Sequence, residues 1–154
     1  FEVLPKFIPD QSVAAVHVYF PDPWWKRRHR KRRVFNTTFL SQVTRVLPPG
    51  GWLYSWTDVE EYFGVITELV NSHPAFVWHP PPEEREAQHD LAYHTSFERK
   101  KRQLGLSIYR ARWQRNEIAN GDPRLSEWLA AANAAEPDPD PLSPAEIAES
   151  PDHP

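Results

Sequence analysis

Two periodicities share the chain. Residues 13–20 (VAAVHVYF) are β-branched and aromatic with almost no charge, the pattern of a strand buried on both faces of a parallel sheet. Pro21 and Pro23 stop it, because neither can donate to a ladder. Phe39, Leu40, Val43, Val46 and Leu47 then recur at helical spacing, with Thr37 or Thr38 placed to cap the helix and residues 48–51 (PPGG) to end it. Residues 52–57 predict a second strand. Tyr62, Phe63, Ile66, Leu69 and Val70 predict a second helix, closing near residues 71–74. A short strand follows at 76–78, ended by three prolines. After a polar stretch at 83–98 and a basic cluster at 99–102, residues 106–113 alternate apolar and polar, as a half-exposed strand does.

The order strand, helix, strand, helix, strand, strand is that of an α/β protein with an antiparallel last strand on an otherwise parallel sheet. Four strands that begin in mid-pattern read as half of a doubly wound sheet. Residues 122–135 predict a separate helix, with Asp122 as cap, Pro123 in the first turn, and Leu125, Trp128, Leu129 and Ala132 on the side that docks on the body or a partner. Residues 137–154 are acidic and proline-rich, a composition that buries too little apolar surface to fold. The expected organisation is therefore a body over 1–116, a short helical extension over 117–136 and a disordered tail over 137–154.

Composition narrows the chemistry. There is no cysteine, which removes disulfides, thiol nucleophiles and cysteine zinc sites. There is no methionine either, and the chain starts at Phe1, which suggests a piece of a longer reading frame. No apolar run reaches the roughly 20 residues of a membrane helix, so a cytoplasmic protein is expected. The net charge of −3 conceals an asymmetry: residues 1–116 carry 17 Lys+Arg against 12 Asp+Glu, and residues 117–154 carry 1 against 9. A basic body with an acidic tail points to a polyanionic partner. Seven tryptophans and five tyrosines fit RNA but do not establish it.

The densest chemical signal is Phe20-Pro21-Asp22-Pro23-Trp24, followed by Trp25 and by Lys26, Arg27, Arg28, His29, Arg30, Lys31, Arg32 and Arg33. Ligands of open parallel sheets bind beyond the carboxyl ends of strands. Two prolines would fix the backbone around Asp22 and leave its carboxylate facing that crevice. The basic run would bring positive charge to the rim, where it neutralises phosphates and makes affinity salt-dependent without reading sequence. Trp52, Tyr54 and Trp56 read as core, not as a stacking platform. The histidine pairs 73/79 and 89/94 have the spacing of no metal site, so no metal is expected. No serine sits in a nucleophile-elbow setting.

These motifs, with Thr57-Asp58 at the next strand end, Thr95-Ser96-Phe97-Glu98 before the last strand, residues 99–105, and Ile108-Tyr109-Arg110, resemble the bacterial tRNA (guanine-N7) methyltransferases of the TrmB type over residues 1–116. The resemblance implies a Rossmann-like class I methyltransferase, its sheet of seven strands parallel except for the last; the four strands here would be the fourth to seventh. It implies S-adenosylmethionine as cofactor and tRNA as partner, with methylation at N7 of a guanine in the variable loop. The glycine-rich cofactor turn and the ribose-binding acid lie upstream in that family, so this chain is expected to be a partial enzyme, inactive by itself. Residue by residue, the resemblance makes Asp22 the catalytic group and, with Phe20, a cofactor neighbour. Lys26 becomes a substrate contact, and Arg28, His29, Arg30, Lys31, Arg32 and Arg33 an RNA-binding segment. Asp58, Thr95, Ser96, Phe97 and Glu98 become substrate-binding residues. The alternative is a non-catalytic RNA-binding remnant of such a domain.

Overall fold

The computed structural model describes residues 7–81, 98–100 and 104–135, and only the backbone of Arg27, Arg28 and Lys31. Its elements are β1 (Ala15–Tyr19), a 3-10 helix (Arg27–Arg32), α1 (Thr37–Val46), β2 (Trp52–Thr57), α2 (Glu60–Ser72), β3 (Phe76–His79), β4 (Tyr109–Arg115) and α3 (Pro123–Ala135). The strands form one sheet in the order β1-β2-β4-β3. β1 and β2 are parallel, with Tyr19 beside Trp56. β4 runs antiparallel to both neighbours, so the last strand is inserted between β2 and β3. This is the α/β architecture expected, with the reversed strand inside the sheet.

The alternation in the strands separates two faces. Leu53, Ala111 and Trp113 join Phe39, Leu40 and Val43 of α1 and Tyr62, Ile66 and Val70 of α2 in a single core, against which Trp128 of α3 also packs. Each large aliphatic side chain so buried contributes about 1.5–3 kcal/mol. The opposite face holds Trp52, Tyr54 and Trp56, all half-buried. This corrects their assignment to the core: they alternate with Leu53, Ser55 and Thr57, and only the second set faces the helices. Their rings pack sideways along the sheet. His17 stacks on Tyr54 at 4.6 Å, Tyr19 lies 4.6 Å from Trp56, and the guanidinium groups of Arg110 and Arg112 sit 4.7 and 4.9 Å from the rings of Trp56 and Trp52. His17 in β1 is exposed, so that strand is less fully buried than its composition predicts.

Local signals explain the boundaries. α1 is capped by Asn36, not by a threonine: the Asn36 Oδ1 accepts the Phe39 N–H at 2.8 Å. The Thr37 side chain turns instead to Asn133 of α3, donating at 2.9 Å. α2 begins with Glu60 and Glu61, whose charges complement the helix dipole. α3 docks on the body, with the Trp128 Nε1 donating to Ser72 Oγ at 3.0 Å. Gly51 lies where the start of β1 meets the turn before β2; a Cβ there would stand 2.9 Å from the Pro48 carbonyl and 3.3 Å from that of Ala14.

Three strands differ from their predicted spans, β3 only by running one residue further, to His79. β1 stops at Tyr19 because Phe20 takes φ 50°. β4 covers Tyr109–Arg115, not 106–113, because its register is set by β2: the Arg115 N–H donates to Gly51 and its carbonyl accepts from Gly50, at 2.8 and 2.7 Å. The predicted disorder of 137–154 lies outside the described residues.

Candidate functional site

Two carboxylates emerge beyond the carboxyl ends of adjacent parallel strands: Asp22 three residues after β1, Asp58 directly after β2. This is the crevice position of open α/β sheets. Asp22 is exposed and Asp58 half-exposed.

The backbone at Asp22 is held in an unusual way. Phe20 and Trp24, on either side of Pro21-Asp22-Pro23, have φ of 50° and 42°, in the left-handed region that costs an L-residue about 1–2 kcal/mol. Strain of this kind persists only where surroundings enforce it. The Phe20 N–H donates to the Trp56 carbonyl at 2.8 Å, which ties the turn to β2. Pro21 is buried. On the far side, Arg33 Nε donates to the Pro23 carbonyl at 2.7 Å. The Asp22 loop is therefore pinned from both ends.

The basic run is not an irregular loop. Arg27–Arg32 form a 3-10 helix, entered from Lys26 and closed by the Arg33 N–H on the Arg30 carbonyl at 2.9 Å. Lys26, Arg30 and Arg32 are exposed. Arg32 lies 5.3 Å from the Trp24 ring, and His29 meets the same ring edge-on at 5.5 Å. Arg33 is turned inward, 5.4 Å from the ring of Trp25 and 5.2 Å from that of Tyr62. Burial lowers the pKa of its guanidinium from the usual arginine value, Tyr62 opposes this, and Arg30 adds to it. The Tyr62 hydroxyl is raised by burial, with Arg33 acting against that rise and Asp22 contributing to it.

A second cluster lies at the same sheet end. Because β4 is antiparallel, its first residues stand beside the last residues of β2, and Arg110 faces Trp56 in the register. Arg110 is paired with Glu98 at 3.3 Å, with only 11% and 0% of their side chains exposed. Tyr19 is next along the row, its hydroxyl raised by burial and by the charge of Glu98.

Of the site residues read from the sequence, the fold gathers Phe20, Asp22, Lys26, His29, Arg30, Arg32, Arg33, Asp58 and Glu98 at or near this end. Thr95, Ser96 and Phe97 lie outside the described residues, and the side chains of Arg28 and Lys31 are not described. Sequence reasoning missed Tyr19, Trp56 and Tyr62 as neighbours of the site, and the role of Arg110 as partner of Glu98. The pairing of β4 with β2 sets Arg110 beside Trp56, and the ion pair itself reveals that role. Among the described residues, no group of His, Asp or Glu could hold a metal ion, and no helix is long and apolar enough to cross a membrane. A shallow depression lined by Pro74, Asn116, Ile118 and Arg124 lies at the opposite end of the sheet, away from this chemistry.

Residues 1–111 match the family described as "Putative methyltransferase". Among curated proteins, the chain is 49% identical over 106 residues to a tRNA (guanine-N(7)-)-methyltransferase of Rhodopirellula baltica, covering 68% of this chain and 39% of that protein. Like-named proteins of Ectopseudomonas mendocina and Ralstonia pickettii are 37% and 35% identical over 123 and 113 residues, covering 75% and 70% of this chain and 49% and 41% of theirs. The chain spans less than half the length of these curated relatives. With the sheet order and the strand-end carboxylates, these matches establish that the chain belongs to the methyltransferase family.

Proposed function

We propose that this chain is the substrate-facing part of an enzyme that methylates N7 of a guanine in the variable loop of tRNA. The observation that carries the reading is the pinned Asp22 turn, with an exposed carboxylate on one side and a clamped basic helix on the other. The names of the relatives supply the substrate class.

Guanine N7 carries an in-plane lone pair, so its methylation needs no general base. What helps is alignment of the reacting atoms and stabilisation of positive charge spreading into the purine. Asp22 supplies that negative charge from a backbone that does not reorganise, and Asp58 accepts hydrogen bonds from the ring N–H and amine of the base. Glu98, with Thr95, Ser96 and Phe97, orients the base or its ribose. Lys26 and the arginines at 28, 30, 32 and 33, with Lys31 and His29, neutralise phosphates, so that the folded tRNA is bound by shape and charge.

S-adenosylmethionine is the methyl donor when bound. The residues present fit one wall of its pocket: an exposed carboxylate at a parallel strand end suits a cationic cofactor, and Phe20 lies two residues before it. The chain spans less than half the length of its curated relatives, and alone it is expected to be inactive.

The test is transfer of labelled methyl from S-adenosylmethionine to unmodified tRNA by the natural full-length protein, followed by nucleoside analysis. The expected product is 7-methylguanosine, lost in Asp22→Ala. No product, with salt-sensitive tRNA binding intact, identifies instead a non-catalytic RNA-binding protein on a methyltransferase scaffold.

A further inference from the structure

Glu98 presents a problem that its neighbours solve. A carboxylate with none of its side chain exposed is costly to desolvate and needs a partner to offset that cost. Arg110 is one such partner, at 3.3 Å. Arg110 is itself fixed from another side, because its guanidinium rests 4.7 Å from the ring of Trp56, the residue facing it across β2 and β4. Trp56 in turn packs on Tyr19 at 4.6 Å and accepts the Phe20 N–H on its carbonyl. One row therefore crosses three strands, from Glu98 through Arg110 and Trp56 to Tyr19. Tyr19 is one residue before the strained turn that carries Asp22, and Trp56 is two residues before Asp58.

The row has the properties of a rest for a side chain that must point in one direction. Glu98 and Arg110 are 12 residues apart, with Gly105 at φ 66° in the turn between them. The β2–β4 register sets Arg110 beside Trp56, and the Glu98 carboxylate meets the guanidinium there. A planar guanidinium can lie flat on an indole and at the same time direct an N–H edge at a carboxylate. An ammonium can form the ion pair but not the flat two-sided seat.

We infer that Arg110 is a positioning residue for the proposed reaction: seated on Trp56, it fixes the direction of the Glu98 carboxylate, covered in this structure, from which that carboxylate meets the guanine or its ribose on binding. The inference rests on the assignment of Glu98 as a substrate contact made under the proposed function. Arg110 then acts through Glu98 and makes no independent contribution to substrate binding.

A double-mutant cycle in the natural full-length protein tests this. Arg110→Gln lowers kcat/KM for unmodified tRNA about tenfold, chiefly through KM. Arg110→Lys recovers part of that loss. Added to Glu98→Gln, the Arg110→Gln change costs no more than about twofold further, because the group it positioned is already neutral. Full additivity of the two changes overturns the inference. So does an Arg110→Gln protein that melts at lower temperature yet keeps kcat/KM within about twofold of the unaltered protein, since that is the behaviour of a structural ion pair. If Arg110→Gln does not fold, the cycle is run with Arg110→Lys, and additivity with Glu98→Gln is equally fatal. If the unaltered protein makes no 7-methylguanosine, the proposed function falls, and the cycle is read on the tRNA dissociation constant. Coupling there sustains the positioning role, and additivity removes it.

Discussion

Arg115 and Arg33 sit at opposite ends of the sheet and are used in opposite ways. Arg115, at the end where β2 begins, is 1% exposed. Its guanidinium donates to the carbonyls of Thr44, Asn116 and Ile118 and to Asn120 Oδ1, at 2.7–2.9 Å. These bonds close α1, β4 and the segment after it into one unit. Beside it, His73 is buried between α2 and α3, its ring 4.2 Å from Trp128, with Nδ1 accepting the Ala75 N–H at 3.2 Å. Arg33, at the other end, makes a bond to Pro23 that holds a strained turn in place. Around it lie exposed cations and an exposed carboxylate. One end of the sheet satisfies its polar groups internally; the other keeps charge and strain facing outward. Stability and recognition are thus assigned to different ends, and each can be perturbed separately.

The largest expected effect is at the stabilising end. Arg115→Met takes this donor from the buried Thr44 carbonyl and the part-buried carbonyls of Asn116 and Ile118, and should lower the free energy of unfolding by about 3–4 kcal/mol in urea titrations. A loss under about 1 kcal/mol would break the contrast. At the other end, Asp22→Asn should reduce kcat/KM on tRNA about 100-fold while unfolding stays within about 0.5 kcal/mol of the parent. A variant whose stability and activity fall together would show that the two ends are not independent.

The third test uses pH. Burial, reinforced by the charge of Arg115, holds the His73 pKa down to about 4, against 6.5 when unfolded. A proton at Nδ1 would also oppose the Ala75 N–H. The unfolded chain therefore takes up a proton below about pH 6.5 that the folded chain refuses until about pH 4. Stability is full above that window and should fall across it by about 2–3 kcal/mol. His73→Gln should flatten this part of the stability profile. The smallest effect is expected at Gln11, an exposed residue at φ 52°. Gln11→Gly should raise stability by about 0.5–1 kcal/mol with no change in activity. Phe20→Gly relieves similar strain but should cost activity, because there the strained turn carries Asp22.

Much of this was legible in the sequence, for identifiable reasons. Trp52–Thr57 was predicted to the residue because a glycine pair precedes it and an aspartate ends it. α1 and α2 followed from their apolar spacing. Elements whose limits depend on a partner were read less well. β4 was displaced because Leu106 and Ile108 continue its alternation, while its true span is set by hydrogen bonds to β2 and the Gly50–Gly51 turn. The α1 cap was misassigned because threonine and asparagine both serve in that position, and only the bond to Phe39 decides between them. At the candidate site the strand-end aspartates and the basic run were visible as motifs. The inward turn of Arg33 and the Glu98–Arg110 pair were not, since both arise from contacts between residues far apart in the chain.

The place of β4 in the sheet also governs the order in which the chain can acquire its structure during synthesis. β2 and β3 are made early but never touch in the sheet; the strand that joins them is the last of the four. A nascent chain that has emerged only as far as residue 79 must keep the places of β2 and β3 roughly 10 Å apart, two strand spacings, with no strand between them. Until residues 109–115 arrive, both facing edges offer unpaired backbone groups to any strand of suitable length, including one from a neighbouring copy. The interval before β4 is inserted is therefore the one in which this chain is expected to be most exposed to mispairing.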